Sequence, residues 1–118
     1  MRSGRPLTSN EREVITRLLE PEFPGRDELR DQLATARAID LEDGGFALEC
    51  ETAVRAPVKV TVPTEGEYVD ADGVPVHVEL HVVDGVMSEL DIYKNDSSKV
   101  VDAPTASKLD VFAPYSRE

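Results

Sequence analysis

The segment Val74–Asp96, "VPVHVELHVVDGVMSELDIYKND", alternates apolar and polar side chains on both sides of a central D-G pair. A period of two is typical of a half-buried β-strand, and D-G between two such runs is typical of a hairpin turn. We therefore predict two antiparallel strands with one apolar and one polar face. Both histidines of the chain, His77 and His81, lie on the polar side of this pattern.

The loop length determines which side chains of this hairpin meet. A two-residue loop of Asp84 and Gly85 would pair Val78 with Asp91 and mix apolar with polar side chains on each face. A three-residue loop with Gly85 in the left-handed conformation avoids this mixing, so we favour it. The inner pairs are then Val82 with Val86, Val78 with Leu90 and Val76 with Ile92.

The three-residue loop also predicts the outer face, which is the only group of polar side chains in the sequence that resembles a functional site. A like-charged Glu79–Glu89 pair, mildly unfavourable by itself, would lie between the two histidines. The predicted outer pairs are His77 with Asp91, Glu79 with Glu89 and His81 with Met87. These six residues and Tyr93 form the candidate binding surface, with Met87 and Tyr93 as its apolar anchors.

Metal binding is one interpretation of this surface, because H-x-E-x-H on a strand places three ligand types on one face. Residues two apart on a strand are ~6.6 Å apart along the chain. His77 and His81, four apart, are then too distant to chelate one ion whose ligands lie about 2.0–2.2 Å away. We therefore predict no metal site and no cofactor.

General acid–base catalysis by Glu79 and Glu89 is a second interpretation, since two neighbouring carboxylates can raise the pKa of one of them. A flat, exposed sheet face excludes no water, however, and offers no pocket for a substrate. We predict no catalytic residue. Recognition of a basic partner stays open as the third interpretation, beside a solvated sheet face without any role.

Two helices precede the strands. "PLTSNEREVITRLLEPEF" predicts the first, with Thr8 and Glu11 as a capping box and Pro21 and Pro24 beyond its end. "GRDELRDQLATARAI" predicts the second. Their apolar stripes consist of Val14, Ile15, Leu18 and Leu19, and of Leu29, Leu33 and Ala36.

Further strands are predicted on each side of two turn signals. Before the main hairpin, "EDGG" joins two short runs, and "DADG" follows a run of alternating valines. A final short strand is predicted at "KLDVF". The predicted pairs across "EDGG" are Leu41 with Phe46 and Ile39 with Leu48, and the valine run is Val58, Val60 and Val62.

The predicted fold class is α+β, with two N-terminal helices packed on one face of a four- to five-stranded antiparallel meander sheet. A length of 118 residues fits a single domain, 1–118, and we expect residues 1–7 and 113–118 to fray. If the strand Val58–Val62 forms an edge, pairing with a second copy would cover it and give a homodimer.

The charge of the chain is −11, and it is concentrated towards the C-terminus. Residues 1–59 carry 9 basic and 12 acidic side chains, whereas residues 60–118 carry 4 and 12. Such a field repels phosphate groups, so we expect neither nucleic acid nor a membrane as partner. A basic protein fits better. One cysteine and no apolar leader or span lead us to expect a cytoplasmic protein.

Two weaker candidates lie elsewhere. Cys50 shares the parity of Phe46 and Leu48, so we interpret it as a buried structural thiol rather than a nucleophile. Four carboxylates could collect calcium around a loop, but they lack the spacing of an EF-hand, and we expect a solvated acidic loop. They are Glu65, Glu67, Asp70 and Asp72.

Four stretches resemble small bacterial proteins of unknown function, especially those of actinobacteria. They are "LTSNEREVITRLL" at Leu7–Leu19, "QLATARA" at Gln32–Ala38, "DADGVPV" at Asp70–Val76, and the closing "ELDIYK" at Glu89–Lys94. The resemblance covers most of the chain and implies a standalone domain to which no catalytic residue can be transferred. Small acidic bacterial proteins of this type often act as immunity proteins or antitoxins against a basic toxin, which is an analogy of size and charge.

The sequence therefore predicts a non-enzymatic, acidic, protein-binding module. The alternative is an enzyme or a small-ligand-binding domain with a pocket between sheet and helices. An inner-face cavity would favour that alternative, and a filled aliphatic core would count against it.

Overall fold

The computed structural model describes residues 4–42, 44–52 and 54–113. Within these ranges the chain forms two α-helices and seven antiparallel strands, so the predicted α+β class is confirmed. A 3-10 turn at Ala106–Lys108 precedes the last strand. The elements are β1 (Arg5–Pro6), α1 (Ser9–Leu18), α2 (Arg26–Leu33), β2 (Arg37–Asp40), β3 (Phe46–Glu49), β4 (Thr64–Val69), β5 (Pro75–Val83), β6 (Val86–Tyr93) and β7 (Asp110–Phe112).

The strand order across the sheet is β1-β2-β3-β6-β5-β4-β7. Only β4, β5 and β6 form a meander. β3 pairs with β6, and β7 returns to pair with the far side of β4. The predicted four- to five-stranded meander is therefore wrong in strand number and in part of its connectivity, because β1 and β7 span two and three residues and leave no alternating pattern in the sequence.

The N-terminal segment is held by ion pairs. Arg5, in β1, contacts Glu11 at 2.8 Å and Asp40 at 2.6 Å. Glu11 also completes the predicted capping box, since the Thr8 hydroxyl accepts from the Glu11 N–H and Glu11 accepts from the Thr8 N–H. The fraying expected for residues 1–7 and 113–118 stays a prediction, and residues 1–3 and 114–118 lie outside the described part of the chain.

α2 is shorter than its sequence pattern predicts. It ends at Leu33, and the segment read as its last turn contains the start of β2 at Arg37. Between them the Thr35 hydroxyl accepts from the Glu51 N–H, which ties the connection to the chain beyond β3. The buried residues of α2 are Leu29 and Gln32, and the polar Gln32 was absent from the predicted stripe.

One aliphatic core joins helices and sheet. Gln32 bridges α2 to the β5–β6 hairpin: its amide donates to the Gly85 carbonyl at 2.8 Å and accepts from the Met87 N–H at 3.0 Å. From α1, the Leu18 carbonyl accepts from the hydroxyl of Thr64 at 2.6 Å. That both helices cover the same face of the sheet stays a prediction. Fully buried core side chains include Ile15, Leu18, Leu19, Leu29, Val76, Val78, Leu80, Met87 and Leu90.

The β2–β3 hairpin is displaced by one residue from the predicted register. Asp40, not Leu41, lies opposite Phe46, and Ala38 lies opposite Leu48. A one-residue shift exchanges the two faces of a strand. The small Ala38 is therefore buried, while Leu41 lies in the loop with 36% of its surface exposed.

The β5–β6 hairpin has a two-residue loop, and the predicted three-residue loop is wrong. Asp84 and Gly85 both have positive φ, 54° and 78°, as a type I′ turn requires. A register shift between His81 and Val82 then restores the apolar inner face by adding one residue to β6. The inner pairs are Val82 with Met87, Leu80 with Leu90 and Val78 with Ile92, so the apolar inner face is confirmed although the predicted pairs are wrong.

The predicted strand Val58–Val62 is not a strand. Residues 59–61 form bends, Val58 and Val62 have no regular secondary structure, and the strand that follows is β4. Prolines at both ends remove ladder donors, which explains why the valine alternation does not produce pairing. The predicted homodimer through this edge therefore has no strand to carry it.

A buried ion pair replaces the solvated acidic loop expected around Asp70. The side chains of Asp70 and Lys94 are both fully buried, with Lys94 Nζ 2.9 Å from Asp70 and 2.7 Å from Asp72. Asp70 also accepts from the N–H groups of Val101 and Asp102. The β4–β5 turn thereby fixes both the end of β6 and the 99–102 segment.

This ion pair makes the stability depend on pH. Burial raises the pKa of Asp70, but the two N–H groups and the Lys94 ammonium outweigh it and hold the pKa well below its usual range. The pKa of Asp70 is lower in the folded protein than in the unfolded chain. The stabilisation is therefore fully present when the pH is above the pKa in the unfolded chain, and it is lost as the pH falls through the pKa in the folded protein.

We expect the Tm of the wild type to decrease when the pH is lowered below about 4. Asp70→Asn should have a lower Tm at pH 7 and a shallower decline in acid, measured by calorimetry from pH 7 to pH 2. The matched control is Asp31→Asn at an exposed position, which should keep the wild-type profile. Parallel acid profiles for Asp70→Asn and the wild type would contradict this assignment.

Candidate functional site

The outward side chains of β4, β5, β6 and β7 form one continuous acidic surface, here called the outer face. One row across the strands runs Phe112, Glu65, Glu79, Asp91, and a second runs Asp110, Glu67, His77, Tyr93. His81 lies opposite Glu89 beside them. The sequences of these four strands contain no Lys or Arg. The six carboxylates of the outer face are those of Glu65, Glu67, Glu79, Glu89, Asp91 and Asp110.

Six of the seven predicted site residues lie on this face, and Met87 does not. Met87 is 1% exposed and belongs to the core. The two-residue loop pairs Met87 with the inward-facing Val82, and the bulge changes which residues of β6 face outward only after this pair. The prediction of Met87 as an apolar anchor was therefore wrong. The predicted Glu79–Glu89 pair is also wrong, because Glu79 lies between Asp91 on β6 and Glu65 on β4.

The contribution of β4 and β7 to the outer face was not predicted from the sequence. Glu65 and Glu67 were assigned to a loop, whereas they lie on β4 beside β5. Asp110 and Phe112 of β7 extend the same rows. The alternation T-E-G-E-Y-V was the available signal, with Thr64 and Tyr68 on the buried side.

Tyr93 orients Glu79. The Tyr93 hydroxyl donates to Glu79 Oε2 at 2.8 Å, and this hydrogen bond, with burial next, raises the pKa of Tyr93 to about 12. The Tyr93 ring lies 5.2 Å from that of His77, tilted by 31°. Tyr93 thus connects the two rows of the outer face and fixes one oxygen of Glu79.

His81 faces two carboxylates. Its Nε2 atom lies 3.4 Å from Glu79 Oε1 and 3.8 Å from Asp91 Oδ2. Nε2 is buried and makes no hydrogen bond among the residues that the structure describes. One ligand atom each from Glu79, His81 and Asp91 lies within 4.8 Å of the others.

The carboxylates of the central row are poorly solvated. The side chains of Glu79 and Asp91 are 21% and 27% exposed. Burial, and secondly the charge of Glu79, raises the pKa of Glu65. Like charges directly opposite each other on a sheet are destabilising, so this row costs folding free energy.

The inner side of the sheet carries a cleft of about 350 Å³ near the start of α1. Its apolar wall includes Val14, Phe46, Leu90 and Ile92, and Glu11 lies at its polar side. This is the kind of inner-face cavity that would favour the small-ligand alternative, and its volume lies at the lower end of the range for ligand pockets.

Cys50 is partly buried against the core. Burial raises the pKa of its thiol to about 11. A thiol with a raised pKa is a poor nucleophile, because the thiolate is the reactive form. This agrees with the interpretation of Cys50 as a structural residue.

The fold and its outer face define a small α+β domain whose sheet presents a half-buried acidic surface. None of the helices in the described part of the chain is both long and apolar enough to cross a membrane. Residues 4–104 match the family described as domain of unknown function (DUF6984), and the chain belongs to this family. No curated protein and no solved structure matches the chain. The expected membership of a family without an assigned function is confirmed, whereas its bacterial character and its closing motif stay predictions.

Proposed function

We propose that this protein is a non-enzymatic binding module whose outer face recognises a basic protein. The observation that carries the proposal is the row Glu65, Glu79, Asp91, in which three carboxylates lie side by side on adjacent strands. A positively charged partner would offset their repulsion, and it would do so most effectively where the carboxylates are already poorly solvated.

The surroundings of the acidic row fit a protein partner. Protein interfaces combine charged groups with apolar and aromatic anchors. Phe112 lies next to Glu65 and is 44% exposed, and Val69 and Val83, at outward positions of β4 and β5, are 66% and 54% exposed. Tyr93 supplies a second aromatic ring.

This partner class fits an immunity-like role in a bacterial cytoplasm, in which an acidic domain neutralises a basic toxin. The charge of −11 would steer such a partner to the outer face and make association sensitive to salt. The same charge disfavours nucleic acid and anionic membranes as partners.

The test compares two double charge reversals of equal net charge. Glu67→Lys/Glu89→Lys changes the outer face, and Glu13→Lys/Asp31→Lys changes exposed positions on the two helices. Each immobilised variant is exposed to extract of the native host at low and moderate salt, and the retained basic protein is then titrated in purified form.

We expect the outer-face variant to bind the purified partner at least about tenfold more weakly than the wild type, because close charge pairs are lost and replaced by repulsion. The helical variant should bind within about threefold of the wild type, since only long-range, salt-screened attraction changes. Equal loss in both variants would contradict a local binding surface.

The inner-face cleft supports a second candidate function, the binding of a small, largely apolar molecule. The observation in its favour is the wall of Phe46, Leu90 and Ile92, whose side chains point away from the outer face. Under this alternative, reversal of charge on the outer face would leave ligand binding unchanged.

A further inference from the structure

We propose that Glu79, His81 and Asp91 form a binding site for one first-row divalent cation, with Zn²⁺ as its closest chemical match. The inference goes beyond the recognition of a basic protein and does not depend on it. The spacing along β5 prevents His77 and His81 from binding one ion together, but it does not prevent His81 from sharing an ion with the carboxylates of the neighbouring strand.

The sheet register brings the three ligands together. Glu79 and Asp91 lie directly opposite each other on β5 and β6, and His81 follows Glu79 by two residues on the same face. Residues so placed are neighbours along and across a sheet. Their side chains converge, so that His81 Nε2 reaches Glu79 Oε1 at 3.4 Å and Asp91 Oδ2 at 3.8 Å.

These separations fit a coordination sphere. Ligand atoms about 2.0–2.2 Å from an ion lie roughly 3.0–4.4 Å from one another, depending on the angle between them. Two of the three pairs are within this range, and all three atoms lie within 4.8 Å. Because the remaining pair is at most 4.8 Å apart, a change of no more than about 0.4 Å is needed to bring it within the range.

The chemistry of the ligands favours a cation that accepts both nitrogen and oxygen. Imidazole suits Zn²⁺ and its neighbours, while carboxylates alone would suit Mg²⁺ or Ca²⁺. Two carboxylates and one neutral imidazole carry a charge of −2, which a divalent cation neutralises. The three protein ligands leave at least one position for water, as in zinc sites that are not purely structural.

Two further features support the site. Nε2 of His81, like that of His77, is buried and makes no hydrogen bond among the described residues. The His81 atom differs in having oxygens of two carboxylates within 4.0 Å, so a cation held between them would satisfy it. The Tyr93 hydroxyl binds Oε2 of Glu79 and leaves Oε1 directed at His81. Hydrogen bonds of this kind orient ligating carboxylates and increase metal affinity. Tyr93 is therefore a positioning residue for the site.

His77 provides a matched control. It lies on the same face of β5, and its nearest carboxylate oxygen is that of Glu67, 3.9 Å from Nδ1. His77→Gln and His81→Gln change the same residue type on the same strand and leave the carboxylates in place. Circular dichroism of both variants checks that the fold is retained.

The experiment is titration calorimetry of the metal-free full chain with ZnCl₂ at pH 7, repeated with Co²⁺ while its visible absorbance is recorded. The expected result is one Zn²⁺ per chain and a Co²⁺ spectrum of low coordination number. Tyr93→Phe should weaken Zn²⁺ binding about tenfold, His81→Gln should weaken it further, and His77→Gln should leave it unchanged.

Equal weakening by His77→Gln and His81→Gln, or weak binding of several ions without saturation, would overturn the site, because either result would indicate only attraction to the acidic face. Glu67→Lys/Glu89→Lys retains all three ligands and should still bind one Zn²⁺. The loss of partner binding in that variant is therefore distinguishable from a failure of the metal site.

Discussion

Lys94→Ala is expected to lower the Tm by roughly 10 °C or more, the largest effect on stability that the structure predicts for a single charged residue. The substitution leaves Asp70 fully buried without its cation. It also frees the Lys99 carbonyl, which accepts from Lys94 at 2.9 Å, and so loosens the segment after β6. Removal of one partner from a buried pair is costly because an uncompensated charge remains.

Calorimetry of Lys94→Ala beside Lys59→Ala tests this expectation. Lys59 is exposed, so its replacement should change the Tm little. The decrease in Tm of the double variant Lys94→Met/Asp70→Asn should be smaller than the sum of the decreases in its two single variants, because both substitutions remove the same interaction. A Tm of Lys94→Ala equal to that of Lys59→Ala would mean that the ion pair does not hold this end of the sheet.

Gln32→Leu is expected to lower the free energy of unfolding by about 2 kcal/mol. Leucine has nearly the volume of glutamine, so the substitution removes hydrogen bonds without opening a large cavity. The Met87 N–H would lose its acceptor inside the core. The Gly85 carbonyl would still accept from the Ala56 N–H at 2.9 Å, so only one buried group becomes unsatisfied.

Urea unfolding measures this effect, with Arg30→Leu as the control on the exposed side of α2. The control should stay within about 0.5 kcal/mol of the wild type. If Gln32→Leu is as stable as the control, the amide does not connect α2 to the β5–β6 hairpin in solution.

The parts of the fold that were predictable share strong local signals. β5 alternates over nine residues, and all four of its inner side chains are buried as expected. The capping box at Thr8 specified the start of α1 correctly because its two hydrogen bonds involve residues only three apart. Neither feature depends on a distant part of the chain.

The remaining parts depend on contacts that the sequence does not display. The bulge after His81 was invisible, and without it the correct two-residue loop looked inconsistent. β4 was missed because Gly66 weakens its strand pattern. A side chain at Gly66 would lie 3.1 Å from Leu109 and 3.2 Å from the Asp110 carbonyl, so the glycine serves the approach of β7.

The candidate site was predicted in composition and not in geometry. Six polar or aromatic residues of β5 and β6 were placed correctly on the outer face by parity alone, whereas Met87 faces the core because the bulge lies between it and Glu89. The cluster of Glu79, His81 and Asp91 needed the true register, since a shift of two residues decides which carboxylate lies opposite Glu79.

The most direct test of the acidic outer face as a binding surface is the ratio of two affinities for the purified basic partner, measured in the same moderate salt. The numerator is the affinity of Glu67→Lys/Glu89→Lys, and the denominator is that of Glu13→Lys/Asp31→Lys, so net charge cancels. A ratio below about 0.3 is predicted, since the outer face loses at least about tenfold and the helices at most about threefold. A ratio near one would show that binding follows net charge alone and would contradict a recognition site on β4–β7.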